Sequence, residues 1–320
     1  MRTNLAMAAV LVATAIGPCA LAYGCSGSQA PFVSGAPDGG ADSAPTSEAS
    51  VSADGAPAVD SSGGPQCPAG RGPTMVQIPG PEGGAYCIDS TEVTNAQYSV
   101  FLRDTAGDAG GQPTACAWNK TFAVQDQDGG PPPASCGYDP VSRADYPVQC
   151  IDWCDARAFC AWAGKRLCRP IGGTHQFAAY SPMDFMVVGD PRFDERKNAC
   201  TSGGRHPYVY GDNYVAGRCI DSQFDATAPV MSAPGCQSPE VGYAGVFDLL
   251  GNVWEFHDAC LGDGGASDIC AILGGSAIDV NSESCMGIAL MPPNLTPSYV
   301  LAERRTYTSD LLGFRCCATL

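Results

Sequence analysis

The sequence predicts an α+β fold that is rich in loops and held by disulfides. Three observations carry this expectation. Thirty-nine glycines and 26 prolines in 320 residues disfavour a helical bundle and favour short elements joined by anchored connections. Eighteen cysteines are spread along the chain rather than grouped at metal-finger spacings. Strand-like and helix-like segments alternate near the start of the folded part and give way to irregular sequence later.

The first 25 residues, MRTNLAMAAVLVATAIGPCALAYGC, hold one arginine and an apolar run from about Leu5 to Ala15, interrupted by Gly17 and Pro18. This is the pattern of an export signal, with cleavage expected after residue 24. The ending LAYGC resembles the lipobox of bacterial lipoproteins, which implies lipidation of Cys25. Ser26 in the next position implies sorting to the outer membrane or cell surface, with periplasmic or secreted protein as the alternative. Residues 25–66 are rich in Ser, Ala, Gly and Pro and carry no base, so they read as a disordered tether. Its reach is on the order of 35 Å. The folded domain is expected over residues 67–320. Setting aside Cys19 and Cys25 leaves sixteen of the eighteen cysteines, an even number that allows complete pairing in an oxidising compartment.

Within that domain, MVQIPGPEGGAYCIDSTEVTNAQYSVFLRD reads as strand, glycine-rich turn, strand and helix. Thr94 and Gln97 form a capping box, and Tyr98, Phe101 and Leu102 share one face. DWCDARAFCAWAGKRLC signals a second helix, capped by Asp152, with Ala156, Phe159, Cys160 and Ala163 as its stripe and Gly164 as its stop. Cys154 and Cys160 lie too far apart around that helix to pair with each other. Residues 105–146, with Gly and Pro runs, read as an insertion. Beyond Tyr180 regular periodicity nearly vanishes.

The charge excludes one broad class of partner. Thirty-three acids against 17 bases give a net charge of −16, which repels nucleic-acid backbones and anionic membranes. Contact with a membrane is expected through the lipid anchor alone. The stretch FDLLGNVWEF, residues 247–256, reads as a tight loop whose acids and freed carbonyls suit a hard cation. Cys260 and Cys270 flank an acidic, glycine-rich segment and are expected to pair. Cys150, Cys154, Cys160 and Cys168 are expected in disulfides rather than in a zinc site, and His175, His206 and His257 are too dispersed for a metal triad.

Several segments in order resemble one family: MVQIPGPEGGAYCIDSTEVTNAQYSVFL, YPVQCIDWCDARAFCAWAGKRLC, YVYGDNY, FDLLGNVWEF, LGGSA and LGFRCC. They are similar to the formylglycine-generating enzymes, or sulfatase-modifying factors, whose domain is a variant of the C-type-lectin fold. The resemblance implies structural calcium held by the Asp248 side chain, the carbonyls of Gly251 and Val253, and the acid of Glu255. It implies a second calcium site less clearly, because Cys219 stands where the family has Asn. Catalysis in the family uses Cu(I) on two thiolates after Gly-Gly-Ser, and those positions here are Asp279 and Ser284. Cys285 is one residue beyond the second. Copper is therefore not expected, since soft thiolates are what stabilise the cuprous state.

Ser276, Asp279, Cys285, Arg304, Arg305 and Arg315 are the remaining groove candidates. The reading that follows is a calcium-braced surface module that binds a peptide, protein or other surface ligand. The alternative is an oxidoreductase or other enzyme of the same family acting on a peptide or protein through a modified groove.

Overall fold

The computed structural model describes residues 66–126, 128–172, 176–177, 188–262, 264–279, 283–288 and 301–320. The export signal, Cys25, His175 and nearly all of the tether lie outside the described residues.

Two antiparallel strands begin the domain, β1 (Met75–Pro79) and β2 (Ala85–Asp89), joined by a 3-10 turn at Pro81–Gly83. Helix α1 (Asn95–Thr105) follows, with Thr94 and Gln97 in the expected reciprocal cap and Ala106 turning left-handed at its end. Helix α2 (Trp153–Trp162) starts at Asp152, whose carboxylate accepts from the backbone N–H of Cys154 and Asp155. The two helices pack through an aromatic cluster in which Tyr98, Phe101, Phe159 and Phe314 lie within 6.5 Å of one another in sequence of contact. Burying such rings supplies most of the local driving force, since each removes 150–250 Å² from water as a rule.

Residues 105–146 are part of this core rather than an appendage. Phe122 packs 4.9 Å from Phe101, and its carbonyl accepts from the Tyr98 hydroxyl. Two disulfides, Cys116–Cys154 and Cys136–Cys150, fasten the segment to α2 and its approach.

The remaining elements are β3 (Arg166–Leu167), β4 (Gln176–Phe177), α3 (Glu195–Cys200), β5 (Trp254–Leu261), β6 (Ile269–Leu273), β7 (Glu283–Ser284), β8 (Gly287–Ile288), β9 (Leu301–Arg304), β10 (Leu312–Gly313) and β11 (Cys316–Thr319). Among the described residues, β1-β2-β11-β3 form one antiparallel sheet, so the C-terminal strand sits beside the first hairpin. A second sheet runs β10-β5-β6-β9, with β4 also on β5. The pair β7 and β8 is a separate hairpin.

One expectation is corrected here. The sequence beyond Tyr180 has little periodicity, yet β5 is eight residues long and begins at Trp254, inside the FDLLGNVWEF stretch that reads as a loop. Its burial pattern is nearly continuous, because both faces are covered, so the alternation that marks a half-buried strand never appears.

All sixteen cysteines from Cys67 onward are paired, in eight disulfides. Adjacent Cys316 and Cys317 reach back to Cys160 and Cys168, locking β11 to α2 and β3. Cys260 pairs with Cys270 directly across β5 and β6.

Candidate functional site

The loop from Phe247 to Val253 turns on three left-handed residues, Asp248, Gly251 and Asn252. At Gly251 the requirement is steric as well: a Cβ there would meet the Ile220 carbonyl oxygen at 2.1 Å. The backbone N–H of Gly251 donates to the Gly274 carbonyl, that of Asn252 to Ile220, and that of Ala277 to Asn252. The loop therefore fixes the Gly274–Gly275–Ser276 turn from below. Gly274 has its own reason to be glycine, since a Cβ would lie 2.2 Å from Nη2 of Arg196.

That guanidinium belongs to an ion cluster with no exposed member. Arg196 Nε donates to Glu255 Oε2 at 2.7 Å, and Nη2 to the Leu249 carbonyl. Arg315 donates from Nε and Nη2 to both oxygens of Glu255, at 2.8–3.0 Å. Its other donors reach the carbonyls of Asp89, Phe247 and Asp248. Burial by itself would raise the Glu255 pKa, but Arg196 and Arg315 hold it below the usual range.

Glu92 also lies in this cluster, 3.8 Å from Arg315, with neither oxygen hydrogen-bonded. Burial pushes its pKa well up, and the neighbouring Asp248 carboxylate pushes it further. A protonated Glu92 leaves two carboxylates against two guanidiniums, which is neutral.

This geometry bears on the calcium reading. Asp248 keeps one buried oxygen, Oδ1, without a partner, as a cation ligand would. Its Oδ2 accepts from the Met231 N–H, and burial raises its pKa to about 6. Glu255, however, spends both oxygens on guanidiniums, and two positive charges there repel a dication. The residues do not fit calcium as the four-ligand set expected. At the less clear second site, Cys219 is bonded to Cys236, and nearby Asp221 accepts from the Tyr214 hydroxyl and the Gln223 N–H.

The groove candidates are likewise reassigned. Cys285 is bonded to Cys200 and offers no thiolate. Asp279 Oδ2 accepts from the N–H and the hydroxyl of Ser276, so the carboxylate stiffens the turn and the serine hydroxyl is held as a donor. Arg315 is buried as described. Arg305 is buried too, stacked 4.5 Å over Trp153 and 3.4 Å from Asp268, where it ties α2 to the second sheet. Arg304 is exposed and sits opposite Ile269 on β9. Of the six, Ser276 and Asp279 are joined by a side-chain hydrogen bond, and that bond closes the turn.

Sequence reasoning missed three members of the buried machinery: Glu92, Asp194 and Arg196. Asp194 caps α3 through Oδ1, and its Oδ2 lies 2.6 Å from Nε2 of the fully buried His257. The string Asp194-Glu195-Arg196-Lys197 looks like a solvated surface run, yet all four are buried. Asp194 alone carried a local signal, as an N-cap residue before a short helix.

The family profile described as "Sulfatase-modifying factor enzyme 1-like domain" matches residues 81–320. The chain belongs to this family. The domain is thus the formylglycine-generating-enzyme-like variant of the C-type-lectin fold, loop-rich and cross-linked. It is 30% identical over 190 residues to a Bos taurus protein named "Inactive C-alpha-formylglycine-generating enzyme 2", covering 58% of this chain and 54% of that one. To the formylglycine-generating enzyme of Streptomyces coelicolor it is 28% identical over 191 residues, covering 53% and 56%. The chain spans about half the length of the curated relatives it matches. Among solved structures, CarF aligns at 18% identity and a TM-score of 0.45, over 74% of this chain and 87% of that one.

Proposed function

We propose that this protein is an exported, non-catalytic member of the sulfatase-modifying factor family that binds a peptide or protein at the surface. One observation carries the reading. Every cysteine from Cys67 to Cys317 is in a disulfide, so the folded domain has no thiolate to hold Cu(I). Asp279, at the first thiolate position, is committed to the turn it closes.

Support for a docking role comes from the rim of the same turn. The Ser222 N–H donates to the Asp279 carbonyl, joining two segments that carry Phe224 and Ile278, about half exposed each. Apolar side chains on a fixed rim suit a ligand surface better than bulk water. Eight disulfides fit an oxidising compartment, in keeping with the signal and the lipidation expected at Cys25. A lipid there would leave the domain on a tether at the outer membrane or cell surface.

The test is Cu(I) titration of the purified domain against a competing chromogenic chelator, alongside formylglycine assays on a cysteine peptide. We expect no stoichiometric copper and no aldehyde. Tight, one-to-one copper binding with product formation would overturn the proposal.

A further inference from the structure

A concave site is lined by Pro81, Tyr86, Arg166, Arg169, Ile171 and Glu195 among others, with a volume of about 320 Å³. That is within the range of small-molecule sites. We propose that it binds a carboxylate, with Arg169 as the anchoring charge.

The sequence around it, Arg166-Leu167-Cys168-Arg169-Pro170, explains the placement. Leu167 and Cys168 are buried, the latter through its disulfide to Cys317, while Arg166 and Arg169 are only partly covered and line the cavity. Glu195 organises both arginines without neutralising both. Its oxygens accept from Nη1 and Nη2 of Arg166 at 2.7 and 2.5 Å, and Oε2 also accepts from the backbone N–H of Arg169. The Glu195 N–H returns a bond to the Arg169 carbonyl.

Arg166 is thus spent on Glu195, the Leu167 carbonyl and the Thr319 hydroxyl, apart from a buried Nε that has no partner among the described residues. Arg169 is held at its backbone, but its guanidinium makes no ion pair with any described carboxylate. The acid whose field it shares is Asp258, which also faces Arg157, Arg305 and His257. In a chain of net charge −16, an arginine that lines a cavity and makes no ion pair with a described carboxylate is a specific feature.

Apolar surface completes the chemistry. Tyr86, Ile171 and Pro81 form the wall, and the Tyr86 hydroxyl is already bonded to the Glu195 carbonyl and Asn198, so it presents its ring. The fitting ligand joins a carboxylate to a compact apolar group. Such a group ends a free organic acid and also ends a peptide. The inference is independent of the copper reading, and either can fail without the other.

The experiment is a backbone-amide NMR titration of the intact domain with N-acetylphenylalanine, with its neutral amide, and with a short peptide ending in Phe. The acid is expected to shift the amides of Gly84, Ala85, Gly172 and Thr319 saturably, and the amide derivative is not. Arg169→Gln should weaken binding about tenfold or more, as loss of a charged hydrogen bond does. Arg169→Lys should retain most of it, and Arg192→Gln, an exposed arginine paired with Asp190, should change nothing. Tighter binding of the peptide assigns peptide ends as the ligand, and equal binding assigns free acids. An equal response to the neutral amide, no saturable shift, or an unaffected Arg169→Gln protein with normal melting overturns the assignment.

Discussion

Glu255 and Arg315 are joined by three hydrogen bonds with both side chains out of contact with solvent, so the first residues of β5 are bolted to the strand that ends the chain. Breaking a buried pair by removing one partner leaves an uncompensated charge, which costs about 3–5 kcal/mol. Glu255→Gln and Arg315→Met should each lose roughly this much in denaturant unfolding. The paired change, Glu255→Gln with Arg315→Met, should cost less than the sum. Simple additivity would mean the two do not act as a unit.

The same pair bears on calcium. A cation that binds only the folded chain stabilises it by about 2.7 kcal/mol at a hundredfold excess over Kd. With Glu255 committed to arginines, melting of the wild-type domain should move little between calcium and chelator. Asp248→Asn should be mildly destabilising in both. A large calcium-dependent rise that Asp248→Asn abolishes would restore the metal reading.

Thiol chemistry gives a third check. Titration of the denatured, unreduced domain from residue 67 onward should find no free thiol, because all sixteen cysteines are paired. Replacing Cys200 and Cys285 together by serine should lower stability by about 2–5 kcal/mol while leaving copper binding absent. Copper affinity that disappears with Cys285 would contradict the assigned disulfide.

Stability should fall as pH rises from about 5 to 7. Burial lifts the carboxyls of Asp89 and Asp248 to about 6 and that of Asp152 to about 7, well above their values in an unfolded chain. In this window the folded state binds more protons than the unfolded one, so the slope of unfolding free energy against pH is negative. His206 acts in the same direction: hydrogen bonds to Asp212 and Glu240 raise its pKa, and the stability it adds is lost as pH climbs through the folded value. Calorimetry across pH 4.5 to 8 should show the melting temperature declining. A rise through that interval would mean these acids stay ionised in the fold.

The amino-acid sequence by itself determined the local elements with strong short-range chemistry. Thr94 with Gln97 and Asp152 before α2 are readable because a cap is satisfied within three residues, and Gly164 stops α2 because its left-handed turn costs glycine little. The pairing of Cys260 with Cys270 was legible for the same reason, as the intervening loop is short. The ordered motifs from Met75 to Cys317 were enough to identify the domain.

What only the tertiary structure decided are the relationships across long sequence separations. Nothing near Glu255 announces Arg196 or Arg315, which come from 59 and 60 residues away. A carboxylate looks the same in sequence whether a metal ion or a guanidinium will face it. The choice is made by which charge the fold brings into the same low-dielectric space, where an unpaired ion is too costly to persist. Cys285 illustrates the same rule for sulfur, since its bond to Cys200, 85 residues away, turned a candidate ligand into a cross-link.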